Sequence, residues 1–265
     1  MTRVDVAAYL ARIGASVDLR PSMQTLAALL RSHLRAIPFE NLDVLLGRPV
    51  ALGIGAVQHK LVDARRGGYC FEHATLFGAV LDALGFETVR HAARVVLYTP
   101  RDKSPRTHML LTVRVDGVRH VVDPGFGGLA PAAPVSLDAP RDGTAAHWMV
   151  RDGDDWVLRT TAGERHVDCW RSPLVADPDV DFVVGNHYTS THPDSPFRNR
   201  LMLRIATDAG SVSVMNREVT VARGASTSSM LLADRAALSA MLSADFGIDL
   251  PEVASLRVPA VEAWR

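Results

Sequence analysis

The Asp116-Gly117 pair, set between two valine-rich runs, places the strongest constraint on how this chain folds. An Asp-Gly pair in that setting is typical of a two-residue β-hairpin loop. Because side chains alternate along each strand, this loop puts His108 and Asp123 on one face as diagonal neighbours, with Cβ atoms within roughly 8 Å. The hairpin therefore predicts an imidazole hydrogen-bonded to a carboxylate. The opposite face, which we expect to cover a core, carries Leu111, Val113 and Val122.

A second constraint is the sequence RGGYCFE at residues 66–72, where two glycines precede Cys70. Adjacent glycines permit a tight turn, and the apolar spacing that follows predicts a helix from about Cys70 to Leu84. A cysteine in the first turn of a helix lies at the positive end of the helix dipole, among unpaired backbone N–H groups, which favours the thiolate. The N–H groups around Tyr69 and Cys70 are also suited to bind an oxyanion.

Cys70, His108 and Asp123 together fit a nucleophile, its base and the group that orients the base. A helical cysteine facing a histidine on a sheet is the arrangement of papain-like enzymes. Each feature alone also fits a structural role, because free cysteines are often buried and a histidine–aspartate pair can be a surface contact. The combination favours catalysis.

The first 85 residues read mainly as helices. Asp5 and Ser22 are suited to cap two of them, which end near Gly14 and Pro38. The third is the helix that begins at Cys70.

The rest of the chain reads first as strands and then as a mixture, so the fold class predicted is α+β. Residues 86–170 contain antiparallel strands and two hairpins, with a long loop at 123–146. A short apolar segment occupies 180–188. Three further strands are expected within 201–222, and a final helix over 234–246.

Composition narrows the function classes. The 265 residues include 29 basic and 29 acidic side chains, so no strong positive field is present and we expect no nucleic-acid partner. No apolar stretch reaches the roughly 18 residues that a membrane span needs, and charges near the N-terminus argue against a signal peptide. Only two cysteines occur, which suits a reducing cytoplasm.

The remaining histidines and the second cysteine are expected to be structural. Cys169 has no glycine turn before it, and His33 lies on an apolar helix face. His187 and His192 are interpreted as part of a packed turn. Neither Cys-x-x-Cys nor His-Glu-x-x-His occurs among the ten histidines and two cysteines, so no bound metal is predicted.

Several blocks, in order along the chain, resemble the arylamine N-acetyltransferase family. They are IPFENL at 37–42, RGGYCFE at 66–72, Thr107-His108, DPGFG at 123–127 and NHYTSTHP at 186–193. The resemblance implies an N-terminal helical bundle over 1–85, a central antiparallel β-barrel over 86–185, and a linker with an α/β lid over 186–265.

The resemblance also implies ping-pong chemistry. The Cys70 thiolate would take an acetyl group from acetyl-CoA and pass it to an arylamine, arylhydrazine or N-hydroxyarylamine. Acetyl-CoA is then a co-substrate, and no cofactor is expected to be permanently bound. The family's catalytic triad falls on Cys70, His108 and Asp123, the same residues that the hairpin and the glycine turn select.

Further site residues follow from the same resemblance. Those expected around the acceptor are Phe39, Val96 and Phe126. Those expected to form an ion pair near the nucleophile are Glu40 and Arg66. The glycine loop expected to approach the thioester and the CoA pyrophosphate contains Gly125, Gly127 and Gly128. Two positions depart from the family pattern: Ala74 stands where asparagine is frequent, and Pro124 stands where valine is frequent. Pro124 has no backbone N–H, so a hydrogen bond from that position is lost.

Three other functions remain open at this point. An amide synthase that closes a macrolactam on a polyketide carrier would use the same triad. A cysteine hydrolase or transglutaminase-like enzyme shares the Cys-His-Asp order but not the PFENL and DPGFG blocks together. A catalytically silent binding protein would be expected to lack a triad member, and none is lacking here. The sequence leaves the acceptor and the oligomeric state open.

Overall fold

The helices of the N-terminal part begin and end at the residues whose chemistry predicts it. In the computed structural model, which describes residues 3–97, 99–139, 141 and 145–264, α1 (Val6–Ile13) is capped by the Asp5 side chain and ends at a left-handed Gly14. The Ser22 side chain caps α2 (Met23–Ala36), which stops just before Pro38. These caps and stops confirm the predicted helices.

The helix that begins at Cys70 is α5 (Cys70–Ala83), one residue shorter than predicted. Three short elements between α2 and α5 were not predicted: α3 (Leu42–Leu45), α4 (Ile54–Gln58) and a π-helical turn (His59–Asp63). They are four or five residues long, too short to show a helical repeat in the sequence.

The central part is a seven-stranded antiparallel sheet in the order β5-β4-β3-β2-β8-β7-β6. Its strands are β2 (Glu87–Val95), β3 (Arg106–Val115), β4 (Val118–Val122), β5 (Val135–Ser136), β6 (His147–Asp152), β7 (Asp155–Ala162) and β8 (Arg165–Ser172). The edge strands β5 and β6 lie close to each other, so the sheet nearly closes into a barrel. Its interior is filled by a cluster that includes Leu110, Leu158, Cys169 and Trp170.

The β3–β4 hairpin has the predicted loop and register. Val115 pairs with Val118, and both loop residues have positive φ, 50° at Asp116 and 81° at Gly117. That backbone is the one in which an Asp-Gly pair matches the twist of the flanking strands. The face opposite to His108 carries the predicted core residues, which pack against the helices.

The C-terminal part is a five-stranded sheet in the order β1-β9-β10-β11-β12 with the helix α8 (Arg235–Phe246) beside it. The strands are β1 (Phe39–Glu40), β9 (Met202–Ala206), β10 (Gly210–Met215), β11 (Glu218–Arg223) and β12 (Ser226–Leu231). The strands β9, β10 and β11 and the helix confirm the predictions, whereas β12 was missed.

Residues 39–41 link the beginning of the chain to this sheet. β1 pairs with β9, and Asn41 Nδ2 donates to the carbonyl oxygens of Phe197 and Arg200, each at 2.7 Å. Asn41 Oδ1 accepts the Met202 N–H at 2.8 Å. The division of the chain into three parts at residues 85 and 185 stays a prediction. The contacts of residues 39–41 join the first of these parts to the third.

The segment 180–188 lies in a helix, α6 (Asp179–Thr191), which is followed by the short α7 (Pro196–Asn199). The interpretation of His187 as part of a packed turn is wrong, because His187 is exposed in the middle of α6. His192 caps the end of that helix and stacks on Tyr188, with ring centroids 4.3 Å apart.

With its helices, nearly closed barrel and second sheet, the molecule has the predicted α+β class. Within the described ranges, none of the helices has the length and apolar character required to cross a bilayer.

Candidate active site

The glycine pair before Cys70 packs tightly against its surroundings. A Cβ on Gly67 would come within 2.1 Å of the Pro38 carbonyl oxygen, and a Cβ on Gly68 within 2.6 Å of the Glu72 carboxylate. Neither position has room for a side chain, so both require glycine. The Gly68 N–H donates to the Pro38 carbonyl at 3.2 Å, which holds the turn against the segment that enters β1.

Cys70 is the first residue of α5 and is 3% exposed. Its thiol donates to the Thr107 carbonyl oxygen at 3.7 Å, so the sulfur lies against the start of β3. The first N–H groups of a helix have no partner within it, and those of Cys70 and Phe71 are in this position. The Tyr69 N–H, which we expected to help bind an oxyanion, already donates to Glu72 Oε2 at 3.1 Å. The amides that remain for an oxyanion are those of Cys70 and Phe71.

The hairpin brings His108 and Asp123 together. His108 Nε2 donates to Asp123 Oδ2 at 2.8 Å, and the two side chains are 3% and 0% exposed. The same carboxylate oxygen accepts a hydrogen bond from Trp170 Nε1 at 2.9 Å. Asp123 Oδ1 has no hydrogen-bond partner in the part of the chain that the structure describes. Pro124, the next residue, has no N–H to offer it.

The surroundings of His108 favour its protonated form. Although burial acts to lower it, the Asp123 carboxylate raises the pKa of His108 to about 10, with a further contribution from a hydrogen bond to Cys70. His108 therefore carries a proton at neutral pH. A protonated imidazole next to a thiol stabilises the thiolate, which is the attacking species.

The glycine loop after β4 covers the start of α5. A Cβ on Gly125 would lie 2.5 Å from Cys70 Cα, so only glycine allows this approach. Gly127 has a φ of 57° and packs on the ring of Phe39, whose nearest carbon would be 3.2 Å from a Cβ. Gly128 has no neighbour within 4 Å of its Cβ position. Two of the three predicted glycines are thus fixed by contacts at the site.

The Glu40–Arg66 pair is present and belongs to a larger buried network. Arg66 Nη2 lies 2.7 Å from Glu40 Oε1 and 3.2 Å from Asp43 Oδ1. Lys60 Nζ lies 2.7 Å from Asp43 Oδ2 and 2.8 Å from Glu72 Oε1. The network therefore connects β1 to the first turn of α5, and it satisfies the charges that burial would otherwise leave unpaired.

The three residues predicted around the acceptor have different neighbours. Phe126 packs edge-on against His108, with ring centroids 5.0 Å apart. Phe39 lines a cleft of about 270 Å³ next to the glycine loop. Val96 lines a separate cavity, because it follows β2 and its N–H donates to the Cys169 carbonyl at 3.0 Å. That Val96, Phe39 and Phe126 together surround an acceptor stays a prediction.

Trp170 is a site residue that the sequence did not indicate. It reaches Asp123 because β8 pairs with β2, with Val95 opposite Trp170. These strands are far apart in the sequence, and the alternating pattern around Trp170 is that of any half-buried strand. No local signal distinguishes it from other core tryptophans.

His73 is a second residue of the site that was not among those predicted. Its Nε2 donates to the carbonyl oxygens of Gly68 at 3.1 Å and Pro38 at 3.2 Å, so it holds the nucleophile turn from the inner side of α5. Its position three residues after Cys70, on one helix face, is the signal that points to it.

Cys169 and His33, which we expected to be structural, are both buried. Cys169 is fully buried in the barrel, where burial raises the pKa of its thiol to about 12. His33 is fully buried and hydrogen-bonded to Tyr9 and His73. Across the described residues, no group of three or more His, Cys, Asp or Glu side chains is arranged to hold a metal ion.

A thiol at a helix N-terminus, an imidazole beside it and a buried carboxylate behind the imidazole form the arrangement typical of enzymes with a cysteine nucleophile. The comparisons with known proteins agree on the family. A family model described as N-acetyltransferase matches residues 22–255, and the chain belongs to the arylamine N-acetyltransferase family.

The relatives match along nearly the whole chain. An arylamine N-acetyltransferase from Mycolicibacterium smegmatis is 39% identical over 97% of this chain and 96% of its own. The arylamine N-acetyltransferase / N-hydroxyarylamine O-acetyltransferase of Salmonella typhimurium is 35% identical over 93% and 89%. The structure of the Mycobacterium marinum arylamine N-acetyltransferase in complex with CoA superimposes with a TM-score of 0.89 at 37% identity, over 94% of each chain.

Proposed function

We propose that the protein transfers an acetyl group from acetyl-CoA to arylamines, arylhydrazines or N-hydroxyarylamines through a thioester on Cys70. The observation that carries this proposal is the buried His108, which lies between the Cys70 sulfur and the buried Asp123 carboxylate and donates to that carboxylate at 2.8 Å. Membership of the family, and relatives whose names state this activity, support the choice of donor and acceptor.

In the first half-reaction the Cys70 thiolate attacks the carbonyl carbon of acetyl-CoA. The N–H groups of Cys70 and Phe71 lie at the helix end where the oxyanion forms, and their dipoles stabilise it. As the carbon–sulfur bond to CoA breaks, the CoA thiolate takes the proton from His108. The products are free CoA, an acetyl thioester on Cys70 and a neutral imidazole.

In the second half-reaction the neutral His108 serves as the base. The amine nitrogen attacks the thioester carbonyl, and His108 accepts the proton that the nitrogen loses. The Cys70 thiolate then leaves, and the thiolate–imidazolium pair is restored. Throughout both half-reactions the Asp123 carboxylate holds the His108 ring in place and stabilises its charge.

The direct test is the mass of the protein after treatment with acetyl-CoA. We expect one acetyl adduct on Cys70 in the wild type and in Cys169→Ala, and none in Cys70→Ser. Addition of an arylamine should remove the adduct and yield the N-acetylated amine. A folded wild-type protein without an adduct contradicts the proposal. Release of acetate alone, at a rate that the arylamine does not change, favours a hydrolase.

We place this activity in the cytoplasm. Both cysteines are unpaired and buried, and the chemistry needs Cys70 as a free thiol. A reducing compartment maintains that state.

A further inference from the structure

The cleft beside the active site has an apolar wall and a basic lining. It measures about 270 Å³ and lies between α2, the glycine loop and the β9–β10 hairpin. Phe39, Pro124 and Gly127 form its wall on the side of the active site. The charged residues that line it are Arg31, Arg35, Arg204 and Asp208.

Arg204 faces this cleft from β9. It is paired directly with Phe39 across the β1–β9 ladder, so the two side chains lie on the same face of the sheet. The guanidinium group is half-buried and, among the described residues, makes no side-chain hydrogen bond or ion pair. Burial accordingly lowers the pKa of Arg204 from its usual value.

The other charges of the cleft do not neutralise Arg204. Asp208 forms its ion pair with Arg35. Arg31, exposed at the rim on α2, has no acidic partner in the described part of the chain. The lining therefore keeps two uncompensated positive charges, one deep and one at the entrance. A half-buried cation without a counterion is unfavourable, and an anionic ligand removes that cost.

We propose that this cleft is an anion-binding subsite for a substrate, in which Arg204 pairs with a negatively charged group and Arg31 adds charge at the rim. The planar guanidinium of Arg204 is suited to bind a phosphate or carboxylate through two hydrogen bonds. Phe39, at its side, offers an apolar face to the part of the substrate that leads to Cys70. The proposal rests on the proposed function, since it assigns the anion to a substrate of that reaction.

Two substrates can carry the anionic group. The donor acetyl-CoA has a diphosphate and a further phosphate on its nucleotide half. The acceptor can be an aryl amine with a carboxylate substituent. The chemistry at Arg204 is the same in both cases, and kinetics with charged and neutral partners separates the two sources.

The donor is tested with the Arg204→Gln variant and two acetyl donors. If the subsite binds the CoA phosphates, the KM for acetyl-CoA should rise about 10- to 100-fold, as expected for the loss of a charge-assisted hydrogen bond. Acylation by the uncharged p-nitrophenyl acetate should be unchanged. Arg204→Lys should recover part of the affinity, and Arg31→Gln should show a smaller change of the same kind.

The acceptor is tested with p-nitrophenyl acetate as donor. If the subsite binds an acceptor carboxylate, Arg204→Gln should raise the KM for para-aminobenzoate by a similar factor and leave that for para-methoxyaniline unchanged. The matched control is Arg257→Gln, an exposed arginine outside the cleft, which should leave every value unchanged.

The proposal is overturned if Arg204→Gln alters neither KM, or if it slows charged and neutral substrates equally. Should that variant not fold, Arg204→Lys and Arg31→Gln decide by the same criteria. Failure of the proposed function looks different, because the wild type itself would then form no acetyl adduct with acetyl-CoA.

Discussion

His33 Nε2 donates a hydrogen bond to His73 Nδ1 across 2.7 Å in the interior of the helical part. The direction of this bond is fixed, because His73 Nε2 faces the carbonyl oxygens of Gly68 and Pro38 and must donate to them. The Tyr9 hydroxyl then donates to His33 Nδ1 at 3.0 Å. Burial lowers the pKa of both imidazoles, which keeps each ring neutral with a single proton, as this direction requires. The chain of hydrogen bonds ends on the Gly67–Gly68 turn.

The first prediction is that acid destabilises the fold through these two histidines. Burial lowers the pKa of His73 to about 4 and also lowers that of His33. The unfolded chain binds protons near pH 6.5 while the folded chain does not, so stability is complete above that pH and is lost as the pH falls toward 4. The lowered pKa of His73 accounts for about 3 kcal/mol of this loss in unfolding free energy. Urea unfolding measured as a function of pH gives this loss directly.

A double variant tests whether His33 and His73 cause this loss of stability in acid. His33→Leu with His73→Leu should flatten the pH dependence of the unfolding free energy between pH 6.5 and 4. The pKa values of the buried His91 and the half-buried His147 are lowered in the same way, so part of the slope should remain in the double variant. An unaltered slope would show that His33 and His73 do not titrate as described.

The second prediction concerns Asp123→Asn. Loss of the carboxylate removes the charge that holds the proton on His108, so the pKa of that imidazole should fall and the Cys70 sulfur should lose the positive charge beside it. Acylation of Cys70 should slow on the order of 10⁴-fold. A stopped-flow burst with p-nitrophenyl acetate measures this rate.

Stability gives an independent check on the same pair. The His108–Asp123 interaction raises the pKa of His108 from 6.5 to about 10 in the folded state, so its stabilisation is complete below pH 6.5 and lost as the pH rises through about 10. The difference in unfolding free energy between wild type and Asp123→Asn should shrink over that range. A difference that stays constant from pH 6.5 to 10 contradicts the assignment.

The third prediction concerns the indole that holds Asp123. Trp170→Phe keeps an aromatic ring in the barrel but removes the N–H that donates to Asp123 Oδ2. A hydrogen bond to a charged group contributes about 2 kcal/mol, so we expect that loss in unfolding free energy and about a tenfold slower acylation. Trp156→Phe, on β7, is the control and should leave acylation unchanged. Equal rates in Trp170→Phe and wild type would mean that the indole does not position the carboxylate.

The fourth prediction compares two glycines of one loop. Gly125→Ala places a Cβ 2.5 Å from Cys70 Cα and forces the loop away from α5, whereas Gly128→Ala meets nothing within 4 Å. Acylation should therefore fall strongly in Gly125→Ala and stay unchanged in Gly128→Ala, with both proteins folded by circular dichroism. Full activity in Gly125→Ala would show that the loop need not touch the nucleophile.

The parts of the fold that could be predicted are those set by neighbours in sequence. Asp5, Ser22 and Asp234 cap helices because their side chains accept N–H groups three residues ahead. Asp116 and Gly117 fix the hairpin loop, and the register follows from it, so the distance between His108 and Asp123 is a local property although the residues lie on different strands.

What could not be predicted depends on pairing between distant segments. Trp170 reaches the site only through the β2–β8 ladder, and Arg204 faces Phe39 only because β1 joins β9. Other elements lack a clear pattern. The valines of α6 at 180, 183 and 184 are exposed, and β12 is an edge strand exposed along its length, so neither element shows the apolar repeat of a buried face.

The two residues of β1 pair with a strand that is synthesised much later in the chain. Phe39 and Glu40 contact the nucleophile turn at Gly68 on one side, and β9 on the other. A growing polypeptide contains thiol, imidazole and carboxylate as soon as Asp123 has been synthesised, yet the partner strand of β1 does not exist until residue 204 has left the ribosome. β1 therefore completes its pairing only late in translation, after Cys70, His108 and Asp123 have all been synthesised.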